Sequence, residues 1–327
     1  MAVALAKPPI KANSARRILP GFGLSLGYTV FYLCLLVLIP LSTTFFKAAT
    51  VSPARFEQII FDPRTVAAFK LSFGTSALAA LFNAFAGLLV AWTLVRYPFP
   101  GRRIIDGLVD LPFALPTSVA GICLSAVYAE NGWIGSHLYH LHVVHTAHGL
   151  TIAHGLTIAH GLTIAHGLTI AHGLTIAHGD HLDVSYTPLG IFVALVFIGL
   201  PFVVRTVQPV LQDLETDVEE AAASLGATRG QIFLRILLPT LFPAVLTGFT
   251  LAFARALGEY GSVIFISNNI PLKGEIIPKL IMDKLDQFDY AGATAIAVVM
   301  LLASFVLLLL INLLQGWTRK RLGMGVV

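Results

Sequence analysis

Arg255 and Glu259 stand four residues apart inside the apolar run 241–266, a spacing that puts both on one face of a helix. Counted from Leu241 at 1.5 Å per residue, Arg255 lies about 21 Å along that run, a depth at which a charged side chain turns toward protein or water. Two readings of the pair follow. As an ion lock it fixes one helix; as a working group, Arg255 offers positive charge to an anion in transit while Glu259 holds or releases it. Gly258 and Gly261 flank the pair and permit close approach of a second helix or a local bend. Pro112 and Pro116, at the head of the run 111–129, free backbone carbonyls that need other partners. They mark either a broken helix beside a water-filled path or a kink sealed by neighbouring helices. Pro201 poses the same question with less force, and Asn83, inside 69–95, is a weaker polar candidate of the kind that bonds helix to helix.

The other concentration of ligand-type side chains is histidine. All 11 histidines fall between His137 and His181, and from His148 the hexapeptide HGLTIA repeats five times before His178-Gly179-Asp180. An identical tandem repeat in an otherwise complex sequence reads most simply as replication slippage without a dedicated function. The alternative is a metal-binding tract, since imidazole ligates zinc, copper and nickel. A period of six puts every repeat histidine on one face of a strand and scatters them around a helix. Five copies are too few for a β-helix to bury a core, so irregular structure is expected, and no metal site is assigned. Cys34 and Cys123 lie in apolar runs and indicate no disulfide.

The elements that must position these residues are membrane spans. At 327 residues, 56% hydrophobic and 12% charged, with a mean hydropathy of +0.82, the chain is too apolar for a soluble domain. Six stretches are long enough to cross about 30 Å of hydrocarbon: 22–46, 69–95, 111–129, 188–208, 241–266 and 290–315. The first is longer than a signal-peptide core, lacks a small-x-small cleavage pattern and is expected to remain as a span. Basic clusters at Lys7, Lys11, Arg16 and Arg17, at Arg96, Arg102 and Arg103, and at Arg319, Lys320 and Arg321 all fall on the cytoplasmic side if six spans separate the ends. The net charge of +4 therefore sets orientation and gives no ground for nucleic-acid binding. No G-x-x-x-x-G-K-[ST] loop and no nucleophile–base set is present, so neither ATP hydrolysis nor other catalysis is expected of this chain, and no cofactor.

Between the fourth and fifth stretches lies the polar interval 214–239, LETDVEEAAASLGATRGQIFLRILLP. Thr216 and Glu219 have the spacing of a capping box, which predicts a helix starting at Thr216. Gly226 is placed to close that helix in the left-handed conformation. A second helix is predicted from Thr228 until Leu238-Pro239, where a pre-proline residue is pushed from helical geometry. One face of small residues and a rim of Asp217, Glu219 and Glu220 suit a plug for another protein, or a connector lying on the surface.

The same residues carry a family pattern. Glu220-Ala221-Ala222, three residues, Gly226, nine residues, Ile236, one residue and Leu238-Pro239 resemble the EAA motif of bacterial ABC importer membrane subunits. Three further stretches, RYPFPGRRIIDGLVDLPFALPTSVAG, PFVVRTVQPVLQDL and FARALGEYGSVIFISNN, resemble the CysT-type permeases of sulfate/thiosulfate importers; the histidine repeat departs from that pattern. The resemblance implies an all-α, six-span type I permease fold in the bacterial inner membrane. Residues 1–21 and 316–327 would be cytoplasmic, 22–315 the permease domain, 148–179 a periplasmic insertion and 214–239 a cytoplasmic coupling loop. It further implies that Glu219, Glu220, Ala221, Ala222, Gly226, Ile236, Leu238 and Pro239 dock the chain on an ATPase subunit. The implied partners are a second permease chain, an ATPase dimer and a periplasmic sulfate-binding protein. Molybdate or tungstate is the alternative cargo within the class, and a histidine-rich metal-binding membrane protein the rival outside it.

Overall fold

The computed structural model describes residues 22–139, 142–146, 149–153, 155–158, 162–165, 179–181 and 183–321. The chain divides into two units, Met1–Thr50 and Val51–Val327. In the first, helix α1 (Gly23–Ala49) is apolar on all sides, as a membrane span is. Its turn Cys34–Leu38 is π-helical, and the Ile39 N–H donates to the Cys34 carbonyl. That shift of one residue in the hydrogen-bond register sits just ahead of Pro40, which has no N–H to give.

The second unit begins with α2 (Pro53–Ile60), α3 (Pro63–Arg96), α4 (Arg102–Val109), α5 (Leu111–Ala114), α6 (Thr117–Tyr128) and α7 (Gly135–Tyr139). Five short antiparallel strands follow: β1 (His142–Thr146), β2 (Gly149–Ala153), β3 (Gly155–Ile158), β4 (Leu162–Ala165) and β5 (Gly179–His181), in sheets ordered β2-β1-β5 and β3-β4. The all-α expectation thus holds outside this one loop. The repeat histidines, and with them the metal reading, lie outside the described residues, as do 1–21 and 322–327. Helices resume as α8 (Pro188–Asp213), α9 (Asp217–Ser224), α10 (Arg229–Leu257), α11 (Gly261–Ile266), α12 (Ile277–Asp286) and α13 (Tyr290–Arg321).

Helices α3, α8 and α10 cross at the core, where Leu88, Leu94, Val203, Val207, Leu241 and Phe253 are buried together. Lipid tails supply no hydrophobic drive between helices, so contact depends on small residues that admit close packing. A Cβ on Gly87 would come within 2.7 Å of Val203 Cβ, and one on Gly248 within 2.7 Å of Val203 Cα.

Among the described residues, five helices are long and apolar enough to cross a membrane: α1, α3, α8, α10 and the 290–316 part of α13. The third expected span is not one helix. Leu115, held extended (ψ 134°) by the proline that follows it, separates α5 from α6, and the 12 residues of α6 reach only about 18 Å. The fifth is also revised. It starts at Arg229, runs unbroken through Leu238-Pro239, and stops at Leu257. Pro239 does not end the helix because the π turn Phe233–Leu237 precedes it, the Leu238 N–H donating to the Phe233 carbonyl.

Candidate functional site

Where α10 stops, Gly258, Glu259 and Tyr260 form a break before α11. Arg255 occupies the last turn of α10 and Glu259 the break, so they meet across a helix end and not along one face. Arg255 Nη1 donates to Glu259 Oε2 at 2.5 Å, while Glu259 Oε1 accepts from the Ser262 backbone N–H at 2.9 Å and the Ser262 hydroxyl at 3.0 Å. The Glu259 side chain is 2% exposed and that of Arg255 34%. The carboxylate therefore anchors the first turn of α11, with each oxygen engaged, and the guanidinium stays partly exposed on the surface of this chain. A cavity of about 10 Å³, walled by Ser72, Thr75, Ser76 and Glu259 among apolar residues, adjoins the break.

The broken third span packs on this break. A Cβ on Gly121 would fall 2.4 Å from the Ser262 carbonyl oxygen, and one on Gly261 2.3 Å from the Thr117 hydroxyl. Gly258 faces open space at φ −88°, so neither a close approach nor a left-handed turn requires glycine there. Pro116 is the N-cap residue of α6 and Pro112 lies in the first turn of α5, each where a missing N–H costs no helical bond. The Tyr186 N–H donates to the Ile266 carbonyl (2.7 Å) and the Ser185 hydroxyl to the Ser125 carbonyl (3.0 Å), which joins the far ends of both half-spans to the start of α8. Asn83 is fully buried on α3 with neither amide atom hydrogen-bonded among the described residues; a Cβ on Gly199 of α8 would lie 2.4 Å from its Nδ2.

The 214–239 interval sits at the end of α3 opposite to Pro63. Gly226 takes φ +84°, with Ala227 N–H donating to Ala222 O and Gly226 N–H to Ala223 O, the two bonds of a glycine-closed helix end. The capping box is displaced from its expected place. Thr216 has helical dihedrals and makes no side-chain cap, whereas Thr228 and Gln231 form the reciprocal pair that starts α10. Glu219 turns instead to Arg96, with Arg96 Nη2 2.7 Å from its Oε1; the same nitrogen donates to the Leu214 carbonyl at 3.2 Å. Ile236 lies within the π turn of α10, and Leu238 and Pro239 follow it directly.

Two further clusters were missed by sequence reasoning. Arg205 is the single charge in the fourth expected span, a signal that calls for acidic partners, and it finds them in α4 and just beyond it. Nε and Nη2 reach Asp110 (2.8 and 2.6 Å), Nη1 reaches Asp106 (2.7 Å) and Gln208 (2.6 Å), and Nη2 the Asp106 carbonyl (2.8 Å). At the opposite end of the bundle Arg64 Nε and Nη2 grip the buried Glu275 (2.7 and 2.5 Å), and Nη2 also reaches Asp283 (2.9 Å), which pairs with Lys279. Burial would raise the Asp283 carboxyl, but the Lys279 hydrogen bond and the charges of Lys279 and Arg64 outweigh it and hold its pKa below the usual carboxylate range. The Gly292 N–H and Lys284 hold Asp289 low at the head of α13.

Long apolar helices around two interrupted ones, with a small amphipathic helix at one end, are the architecture of a membrane transport protein. The family model for the inner membrane component of binding-protein-dependent transport systems matches residues 83–324. The chain belongs to that family, whose members are transport subunits and not enzymes. The sulfate transport system permease protein CysT of Escherichia coli is 43% identical over 310 residues, 95% of this chain and 98% of that one. The probable sulfate transport system permease protein cysT of Nephroselmis olivacea is 43% identical over 295 residues, 90% of each chain. In fold, the chain is similar to a crystal structure of a bacterial ABC transporter involved in the import of the acidic polysaccharide alginate, with a TM-score of 0.67, 16% identity and coverage of 90% of this chain and 94% of that one. A crystal structure of a bacterial alginate ABC transporter with an alginate-pentasaccharide-bound periplasmic protein matches with a TM-score of 0.65 and 17% identity, over 89% of this chain and 92% of that one.

Proposed function

We propose that this chain is the membrane permease of an ATP-driven importer of sulfate, forming half of the pathway beside a second permease chain. The observation that carries the cargo is the 43% identity, over 95% of the chain, to a relative named as a sulfate permease. The remaining partners are an ATPase dimer at the 214–239 loop and a periplasmic sulfate-binding protein at the opposite face. Thiosulfate fits the same site chemistry, and molybdate or tungstate is the competing cargo.

In this reading α9 is the coupling helix. Its face carrying Val218, Ala221 and Leu225 is exposed for docking, while Glu219 faces inward and fixes the helix to α3 through Arg96. Gly226 sets the angle to α10, and Ile236, Leu238 and Pro239 carry motion into that helix. Displacement of α9 on ATPase closure then reaches the Gly258–Tyr260 break, where Arg255 presents positive charge to the anion and Glu259 holds α11 against α6. Two packings of the broken half-spans, biased by nucleotide, give alternating access.

Co-purification with the ATPase subunit followed by labelled-sulfate uptake into vesicles tests the reading. Uptake competed by excess sulfate but not by molybdate is expected. Uptake competed by molybdate at lower concentration overturns the cargo, and failure to retain an ATPase subunit overturns the coupling role.

A further inference from the structure

Between α3 and the 214–239 interval the structure holds a cleft of about 820 Å³, beside the Arg96–Glu219 pair that fixes α9 to α3. Leu89, Trp92, Phe233 and Leu237 line its apolar end, with Trp92 and Phe233 edge to face at 5.6 Å. Arg96, Glu219, Glu220 and Arg229 line the other. Both walls change character in the same direction. Along α3 the lining passes from Leu89 to Tyr97, and along α10 from Leu237 back to Arg229, each about 12 Å of helix rise. That gradient, with Trp92 at the apolar end and Tyr97 near the polar end, follows a bilayer from hydrocarbon to headgroup depth.

The charges select the headgroup. Arg96 Nη2 pairs with Glu219 Oε1 at 2.7 Å, yet Arg96 Nε is buried without a hydrogen-bond partner among the described residues. It needs an acceptor. Arg229 and Glu220 at the mouth are exposed, with no ion-pair partner among the described residues, leaving one free cation and one free anion. We propose that this cleft binds one inner-leaflet phospholipid with a zwitterionic headgroup bearing a primary ammonium, phosphatidylethanolamine being the simplest. Its phosphate lies against Arg229 and the Arg96 Nε, its ammonium donates to Glu220, and an acyl chain covers Leu89, Trp92, Phe233 and Leu237. A quaternary ammonium has no N–H to donate, and an anionic headgroup leaves Glu220 facing like charge. The lipid packs α9 against α3, on the side away from Val218 and Leu225, and does not depend on the identity of the cargo.

The test is native mass spectrometry of the full chain, delipidated in mild detergent and then given phosphatidylethanolamine, phosphatidylcholine or phosphatidylglycerol. Retention of one phosphatidylethanolamine, about tenfold over either competitor and lost in Arg229→Gln and Glu220→Gln, is the expected result, since one charge-assisted hydrogen bond is worth about that factor. Equal retention of the three lipids, preference for phosphatidylglycerol, or unchanged retention in both variants overturns the proposal. If the variants do not fold, quenching of Trp92 by brominated-acyl phosphatidylethanolamine in a Trp133→Phe, Trp317→Phe background decides; absence of quenching overturns it.

Discussion

Replacing Glu259 by leucine separates anchoring from transport at the break between α10 and α11. The carboxylate accepts one hydrogen bond from Arg255 and two from Ser262 (the amide and the hydroxyl), and is almost fully buried. Glu259→Leu strands the buried Ser262 amide, at about 1–3 kcal/mol. It also removes the ion-pair partner of Arg255, whose side chain is 34% exposed, so the loss falls below the ~3–5 kcal/mol of a pair buried on both sides. A total destabilisation of about 2–4 kcal/mol is expected, read by thermal or denaturant unfolding in detergent. Glu259→Gln keeps an acceptor for Ser262 and should recover about half. Arg255→Leu should fold and retain the ATPase subunit but lose sulfate uptake, and Arg255→Leu combined with Glu259→Leu should also assemble without transporting. Glu259→Leu stability within about 0.5 kcal/mol of the parent would refute the anchoring role. Normal uptake by the double variant would refute the anion role of Arg255.

Gly226 takes φ +84° and open space surrounds the position its Cβ would fill, so Gly226→Val acts through backbone strain alone, about 1–2 kcal/mol, and should abolish ATPase stimulation while Gly226→Asn retains most of it. Gly121→Leu drives a side chain into the Ser262 backbone and should eliminate uptake, whereas Gly258→Ala, facing open space, should change it less than about twofold; equal effects would sink the close-packing account. Because the folded-state pKa of Asp283 is lowered, its contribution is complete above the ordinary value of 3.8 and is lost as pH falls through the lower folded value. Hydrogen exchange in 277–286 should therefore stay slow from neutral pH down to that range and accelerate only below it, and Asp283→Asn should remove the transition.

Local signals were legible where local physics decides. Gly226 closes α9 because only a residue without Cβ takes that φ cheaply, and the Leu-Pro step at 115–116 interrupts the third span, although Leu200-Pro201 lies inside the unbroken α8. Leu238-Pro239 has the same step and no interruption, because the turn before it changed register, a choice that its residue types do not encode. The two Thr-x-x-Glu/Gln pairs at 216–219 and 228–231 look alike in sequence; the first lost its glutamate to Arg96, 123 positions from Glu219. Arg205 was readable as a lone charge that must be paired. Arg64 and Glu275 were not, since 211 positions separate them and neither interrupts an apolar run.

Helix α3 is fastened at both extremities: Arg64 to Glu275 and Asp283, Arg96 to Glu219 and Leu214. Its 34 residues make a rod of about 51 Å, and its tightest packing is off-centre, where Asn83 and Gly87 press on Gly199 and Val203. Treated as a beam on that fulcrum, the arm from Asn83 to Arg96 is about 20 Å and the arm to Arg64 about 29 Å. A sideways push of about 2 Å applied by α9 at the short arm would then arrive at the Glu275 end as a swing of roughly 3 Å, reversed in direction, so the two faces of the bundle would move in opposition without any signal passing from residue to residue through the interior.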